Sequence, residues 1–167
     1  MQEIIHHSLT GPELGPCVCS QVRRIARKIS SFYDAALASE ELTITQYSLL
    51  ANIARAGQLS HAGLAGKVGM ERTTLTRNLR PLIRAKWVAA ATGEDRRQHL
   101  LRLTVARRRK LIRSLPLWQK AQRQFLSEMG PESVRDFSAS LVSAELAVKK
   151  AFAVKKEEDA KPAPRNQ

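Results

Sequence analysis

Aromatic side chains are scarce: Phe, Trp and Tyr make up 5% of the 167 residues, although apolar residues as a whole reach 43%. A core can form, but it must rest on Leu, Ile, Val and Ala. Cysteine is almost absent. Cys17 and Cys19 are the only two and one residue separates them, too close for an ordinary structural disulfide, which excludes a stapled secreted scaffold. The start of the chain has no basic flank followed by an apolar stretch, so no secretory signal is expected. No apolar run approaches the roughly 20 residues that a membrane helix requires. A soluble, cytoplasmic protein with no membrane association is therefore expected.

Catalytic constellations are lacking as well. His6, His7, His61 and His99 show no metal-ligand spacing with the cysteines or carboxylates. Neither a Gly-rich phosphate loop nor a Ser/His/Asp set emerges, so no enzyme activity, metal or cofactor is expected. Acidic residues are the last shortage: 15 Asp and Glu stand against 28 Lys and Arg, a net charge of +13. So basic a chain attracts polyanions over long range, and nucleic acid is the commonest of them.

What the chain does have is helical periodicity. Residues 1–16 contain Gly11, Pro12, Gly15 and Pro16 and read as a flexible arm. Across residues 17–42, Val18, Val22, Ile25, Ile29, Phe32 and Ala36 recur at steps of four and three, an apolar stripe on one helix. Residues 43–104 read as a compact lobe. A helix from about Ile44 to Ala56 turns Tyr47, Leu50 and Ile53 inward and stops at Gly57. Ser60 can cap a short helix carrying Leu64, Ala65 and Val68. Gly69 supplies a turn, and a further helix from Glu71 places Leu75, Leu79, Leu82 and Ile83 on one side, with a kink expected at Pro81. The period then changes. Val88 to Ala91 and His99 to Leu103, around Gly93, read as a hairpin. Thr104 can cap a long helix bearing Leu111, Leu115, Trp118 and Phe125, with a kink expected at Pro116. Gly130-Pro131 starts a last helix, which together with the preceding one spans residues 105–152. Residues 153–167 read as a charged, disordered tail.

A short helix, a turn and a longer helix followed by a hairpin make a winged helix-turn-helix, whose second helix can enter a major groove. The fold class expected is mainly α (α+β), with dimerisation helices at both ends. Arg72, Thr73, Thr74, Thr76, Arg77 and Arg80 are the candidate base-reading residues. Arginine can bind guanine edges bidentately, and threonine can meet a thymine methyl or a phosphate. A merely solvated face would mix both signs, whereas here the only acid is Glu71 at the helix start. Between Arg84 and Arg113 ten basic residues face only Glu94 and Asp95. Arg107, Arg108, Arg109 and Lys110 stand in the first turns of a helix, where the macrodipole disfavours cations. Phosphate binding is the better reason for them, and Ser60, Arg107 and Arg108 are the candidate phosphate contacts.

These residues resemble the MarR family of bacterial regulators. Asp95-Arg96-Arg97 followed by Leu103-Thr104 is similar to that family's wing signature. Leu64-Ala65, Val68-Gly69 and the run from Arg72 to Leu82 look like its two helix-turn-helix helices. The likeness extends over about Cys17 to Phe152. It implies a homodimeric repressor of specific duplex-DNA sites, with interlocking first and last helices. It also implies that Arg97 reaches the minor groove, that Asp95 braces the wing, and that Arg96 sits beside them. Dimerisation also follows from the apolar stripes outside the lobe, which a second copy would cover, making the operator pseudo-palindromic. Three departures stand out: Lys86 and Arg107 occupy positions where the family commonly has glycine, and Glu71 stands where Asp or Ser would cap better.

Members of the family commonly leave DNA when a small phenolic or lipophilic effector binds, and Tyr33, Tyr47, His61 and Trp87 are the candidate pocket residues. A peroxide-sensing branch carries a reactive cysteine near the start of the first helix. Cys19 stands near that position, with Arg23 and the helix terminus favouring its thiolate, Tyr33 matching an assisting tyrosine, and Cys17 next door. A non-specific architectural nucleic-acid-binding protein would explain the charge equally well, though the scarce aromatics argue against RNA. A protein-binding adaptor is disfavoured by the retained arginines.

Overall fold

The computed structural model describes residues 17–92 and 99–159. Helix α1 (Val18–Leu37) begins without a side-chain cap at Cys17. The anticipated stripe is only partly covered: Val18, Val22 and Ile25 are exposed, Ile29, Phe32 and Ala36 are half-buried, and the buried residues are Tyr33 and Leu37 beside it. A 3-10 turn (Ala38–Glu40) follows, and Glu41 takes the left-handed backbone at φ 51°. Thr43 then starts α2 (Ile44–Ala56) with a reciprocal capping box. Its hydroxyl accepts from Gln46 N at 3.2 Å while its own N–H donates to Gln46 Oε1 at 3.1 Å. Asp34 ties the two helices by accepting from the Ile44 N–H.

Tyr47, Leu49, Leu50, Ala51 and Ile53 put α2 at the centre of the core. After Gly57 a short strand β1 (Gln58–Ser60) leads to α3 (His61–Val68), capped by Ser60 Oγ accepting from Gly63 N at 3.0 Å. Gly69, at φ 63°, makes the left-handed turn a side chain would strain. Helix α4 (Arg72–Arg84) buries Leu75, Leu79 and Leu82, but Ile83, expected beside them, is exposed. Ile83 lies just past the edge of the arc that the three leucines define. Pro81 sits inside one continuous α4. It and Arg77, whose carbonyl loses that partner, are both on the exposed side, where water can replace the missing donor.

Lys86 ends this segment at φ 55°, the left-handed turn where the family commonly has glycine. Strands β2 (Val88–Thr92) and β3 (His99–Leu103) pair antiparallel, with Val88 opposite Leu103 and Thr92 opposite His99. β1 adds to the other edge of β3, Leu59 opposite Leu101, giving the order β1-β3-β2. The third strand was not anticipated. Val88, Leu101 and Leu103 face the core formed by Leu37, Leu42, Tyr47, Leu64, Leu75 and Leu79. The architecture is therefore the winged helix expected.

Helix α5 (Val105–Met129) carries Pro116 within it. Leu111 and Trp118 of the expected stripe pack against the core and Phe125 is half-buried, but Leu115 is exposed, and Lys110, Ser114 and Ala121 are the most deeply buried. Ser114 is fully enclosed and donates to Lys110 O at 2.8 Å. Two compact units divide at Ala121 and Gln122. In the second, Gly130 at φ 76° turns the chain into α6 (Pro131–Asp159), which leaves Leu141, Leu146, Val148 and Phe152 exposed. Helical structure thus runs past the expected end at residue 152, because the Lys and Glu residues that follow are good helix formers.

Candidate nucleic-acid interface

α3, the Gly69 turn and α4 form the helix-turn-helix. The three leucines of α4 anchor it on the core, so the opposite arc must face outward. Thr73, Arg77 and Arg80 on that arc are exposed, as are Thr76 on its flank and Arg72 at the helix start, and Arg84, absent from the sequence expectation, continues it. From Arg72 to Arg84 the helix has four arginines and no acid. Glu71 precedes it and makes no side-chain cap. Thr74 is half-buried on one flank, where its carbonyl accepts from Asn78 Nδ2 at 2.9 Å. On the other flank Thr76 Oγ1 donates to Arg72 O at 2.8 Å and lies 3.2 Å from His61 Nε2, at the start of α3.

Ser60 is half-buried and uses a lone pair on its cap, which leaves the hydroxyl proton for another acceptor. The basic run that opens α5 divides. Arg108 and Arg109 are exposed, but the Arg107 guanidinium lies 4.6 Å from the centre of the Trp87 ring. Lys110 is buried, with Nζ 4.7 Å from that same ring and 3.4 Å from Glu41 Oε2. Two of the four cations thus have partners within the protein. The reading of the whole run as phosphate ligands is corrected for Lys110, and Arg107 is held against an aromatic face. The wing residues Asp95, Arg96 and Arg97 lie outside the described residues.

Of the four candidate pocket residues, Tyr47 and Trp87 belong to the one core cluster, whereas Tyr33 and His61 are not part of it. Tyr33 and Tyr47 are buried, and burial raises both phenols above their ordinary range. Tyr47 stacks on Trp118 with centroids 5.8 Å apart. Trp87 lies under Arg107 and Lys110, and His61 belongs to the face of α3 that meets Thr76. An open hollow of about 480 Å³ lies elsewhere, along α1, lined by Val18, Gln21, Val22, Arg24, Ile25 and Lys28. None of the four lines it, and no sequence motif marked it.

Cys17 and Cys19 are both exposed thiols at the head of α1. The Cys17 thiol is lowered from its ordinary range, chiefly by the Ser20 backbone N–H, then by the Ser20 hydroxyl and the Cys19 N–H. The sequence reading had placed that advantage at Cys19. Cys17 occupies the N-cap position itself, where the free N–H groups converge. Among the described residues no three His, Cys, Asp or Glu side chains group as a metal site. Among them also, no helix is long and apolar enough to cross a membrane.

A winged helix-turn-helix with a cationic outward helix is the class of protein that this geometry defines. The model of the MarR family matches residues 42–99. The solved transcriptional regulator MosR of M. tuberculosis, in complex with DNA, is 37% identical to this chain, with a TM-score of 0.69. That alignment covers 80% of this chain and 98% of MosR. A mutant MarR from E. coli complexed with operator DNA shares the fold at 18% identity and a TM-score of 0.68, covering 76% of this chain and 92% of its own. BpsR of Bordetella bronchiseptica, whose DNA binding is regulated by 6-hydroxynicotinic acid, does so at 17% identity and a TM-score of 0.63, covering 89% and 97%. No curated protein sequence matches the chain. The chain belongs to the MarR family of transcriptional regulators.

Proposed function

We propose that this protein is a sequence-specific duplex-DNA-binding regulator that acts as a homodimer, with α4 in the major groove. The observation that carries this is the exposed, acid-free face of α4, with Arg72, Thr73, Thr76, Arg77 and Arg80 presented together. Thr74, on the flank, supports the helix, and Ser60, Arg107 and Arg108 are assigned to the phosphates. The wing is assigned to the minor groove through Arg97, with Asp95 as its brace and Arg96 beside them. The uncovered apolar faces of α1 and α6 support dimerisation, since a single chain leaves them in water. A dimer seated on a promoter blocks polymerase, so repression is the simplest outcome, relieved by a small phenolic or lipophilic effector. BpsR, with the same fold, is a regulator whose DNA binding is regulated by a small molecule, 6-hydroxynicotinic acid.

Fluorescence anisotropy tests the reading, with the duplex upstream of the protein's own gene against a shuffled duplex of equal composition, near physiological salt. A preference of about a thousandfold, saturating at one dimer, is expected. Equal affinity for both, and for other candidate promoters, leaves a non-specific architectural role instead.

A second reading is favoured by one observation, the depressed, exposed Cys17 thiol. Its thiolate attacks a peroxide oxygen, giving a sulfenic acid and, once the leaving oxygen is protonated, an alcohol or water. Loss of DNA affinity on peroxide treatment, abolished by Cys17→Ser and retained in Cys19→Ser, is the expected pattern. Loss that depends on Cys19 alone returns the role to the residue first chosen.

A further inference from the structure

Thr76 is exposed on α4, yet its hydroxyl is not free. A carbonyl oxygen has no proton, so the 2.8 Å bond to Arg72 O uses the one hydrogen that Thr76 carries. The 3.2 Å contact with His61 Nε2 must then run the other way, with the ring N–H donating and Thr76 Oγ1 accepting. His61 is thereby assigned the tautomer, or the protonated form, that carries hydrogen on Nε2. Threonine on a helix divides between two side-chain rotamers, because its oxygen can bond back to the preceding turn. Here that back-bond is made and a second helix holds it from the side.

A group so occupied cannot donate to a phosphate oxygen or to a guanine or thymine acceptor without breaking the Arg72 bond. Of the two groups on the Thr76 β-carbon, the hydroxyl keeps one lone pair and no free proton, whereas the methyl is wholly free for a base. The thymine C5-methyl is the apolar feature that a major groove offers. We infer that Thr76 reads a thymine methyl, and that His61 is the positioning residue on α3 that holds it in the reading orientation. This rests on the proposal that α4 enters the major groove, and it names what one position of that helix recognises. It also gives His61 a role at the DNA face.

The experiment uses the full-length protein and a duplex enriched by it from a random pool. Each thymine is replaced singly by uracil, which removes only the methyl, and affinity is read by anisotropy. About fourfold weaker binding is expected at one thymine in each half-site, the value of one buried methyl. Thr76→Val lacks the hydroxyl, but a helix holds valine to one rotamer by itself, so its methyl stays placed and the fourfold dependence should remain. Thr76→Ser keeps the hydroxyl and should bind the thymine and uracil duplexes equally. His61→Gln retains an N–H donor of similar reach and should preserve the discrimination, whereas His61→Leu should lose it. Thermal melts of each variant confirm that the lobe is folded.

Indifference of the wild type to uracil at every position overturns the inference. So does methyl dependence that survives in Thr76→Ser or vanishes in Thr76→Val. Identical behaviour of His61→Gln and His61→Leu removes His61 from the account. In each of these cases the enriched duplex still stands and so does sequence-specific binding. Failure to enrich any duplex overturns both readings together.

Discussion

Lys86 closes the turn between α4 and β2 at φ 55°. A side chain in this region meets its own backbone and costs roughly 1–2 kcal/mol, a cost glycine escapes. Its N–H donates to Ile83 O at 2.9 Å, and its carbonyl accepts from the Thr104 hydroxyl at 3.1 Å, so the conformation is held from both sides. Lys86→Gly should therefore stabilise the protein by about 0.5–1 kcal/mol, after allowing for glycine's greater freedom when unfolded. Urea unfolding should show a higher midpoint at unchanged slope; a lower midpoint would mean that the lysine side chain contributes more than the strain removes. The strain was legible beforehand, because a lysine stands where the family commonly has glycine. The fate of Arg107 and Lys110 was not. Their partner Trp87 lies some twenty positions earlier, and only the fold of β2 and β3 brings the ring beneath α5.

At the scale of elements, two ion pairs join α5 to the turn that follows α1. Arg113 grips Glu40 with two nitrogens, at 3.0 and 3.2 Å, and Lys110 reaches Glu41 at 3.4 Å. Hydrogen bonding to Arg113 holds the Glu40 carboxyl below its ordinary value of 4.5. A carboxyl depressed in the folded state contributes stability above the unfolded value and loses it as pH falls through the folded one. The contribution should thus be intact at neutral pH, begin to fall below about pH 4.5 and be gone once pH has passed the lower folded value, where Glu40 takes up its proton. Thermal melts from pH 7 to pH 3 should fall less steeply for Arg113→Ala than for the parent, and parallel curves would show that the pair is inert. The helices themselves were readable, because the three-and-four spacing of Leu, Ile and Val is set within each segment. β1 was not, since three residues carry no period and the strand exists only by pairing with β3. On α5 the spacing marked Leu111 and Trp118 but not Ser114, a polar residue whose burial no local pattern announces.

For the whole molecule the decisive quantity is how many phosphates one bound unit meets. An excess of thirteen positive charges drives association with any duplex, but the salt dependence of affinity counts the contacts actually made, at about −0.9 in log–log slope per phosphate. A dimer on two half-sites should therefore show twice the slope of a monomer on one. Val22 and Ile25 on α1 are 49% and 43% exposed in the single chain. Replacing both with aspartate should leave the lobe folded yet place charge where a second copy must pack. Sedimentation should then show the monomer, and the salt slope on a duplex with both half-sites should fall to about half. The carboxylates add repulsion too, but two distant charges shift affinity far less steeply with salt than the loss of a half-site does. A double variant that sediments as a dimer and keeps the full slope would place the dimer contact away from the head of α1.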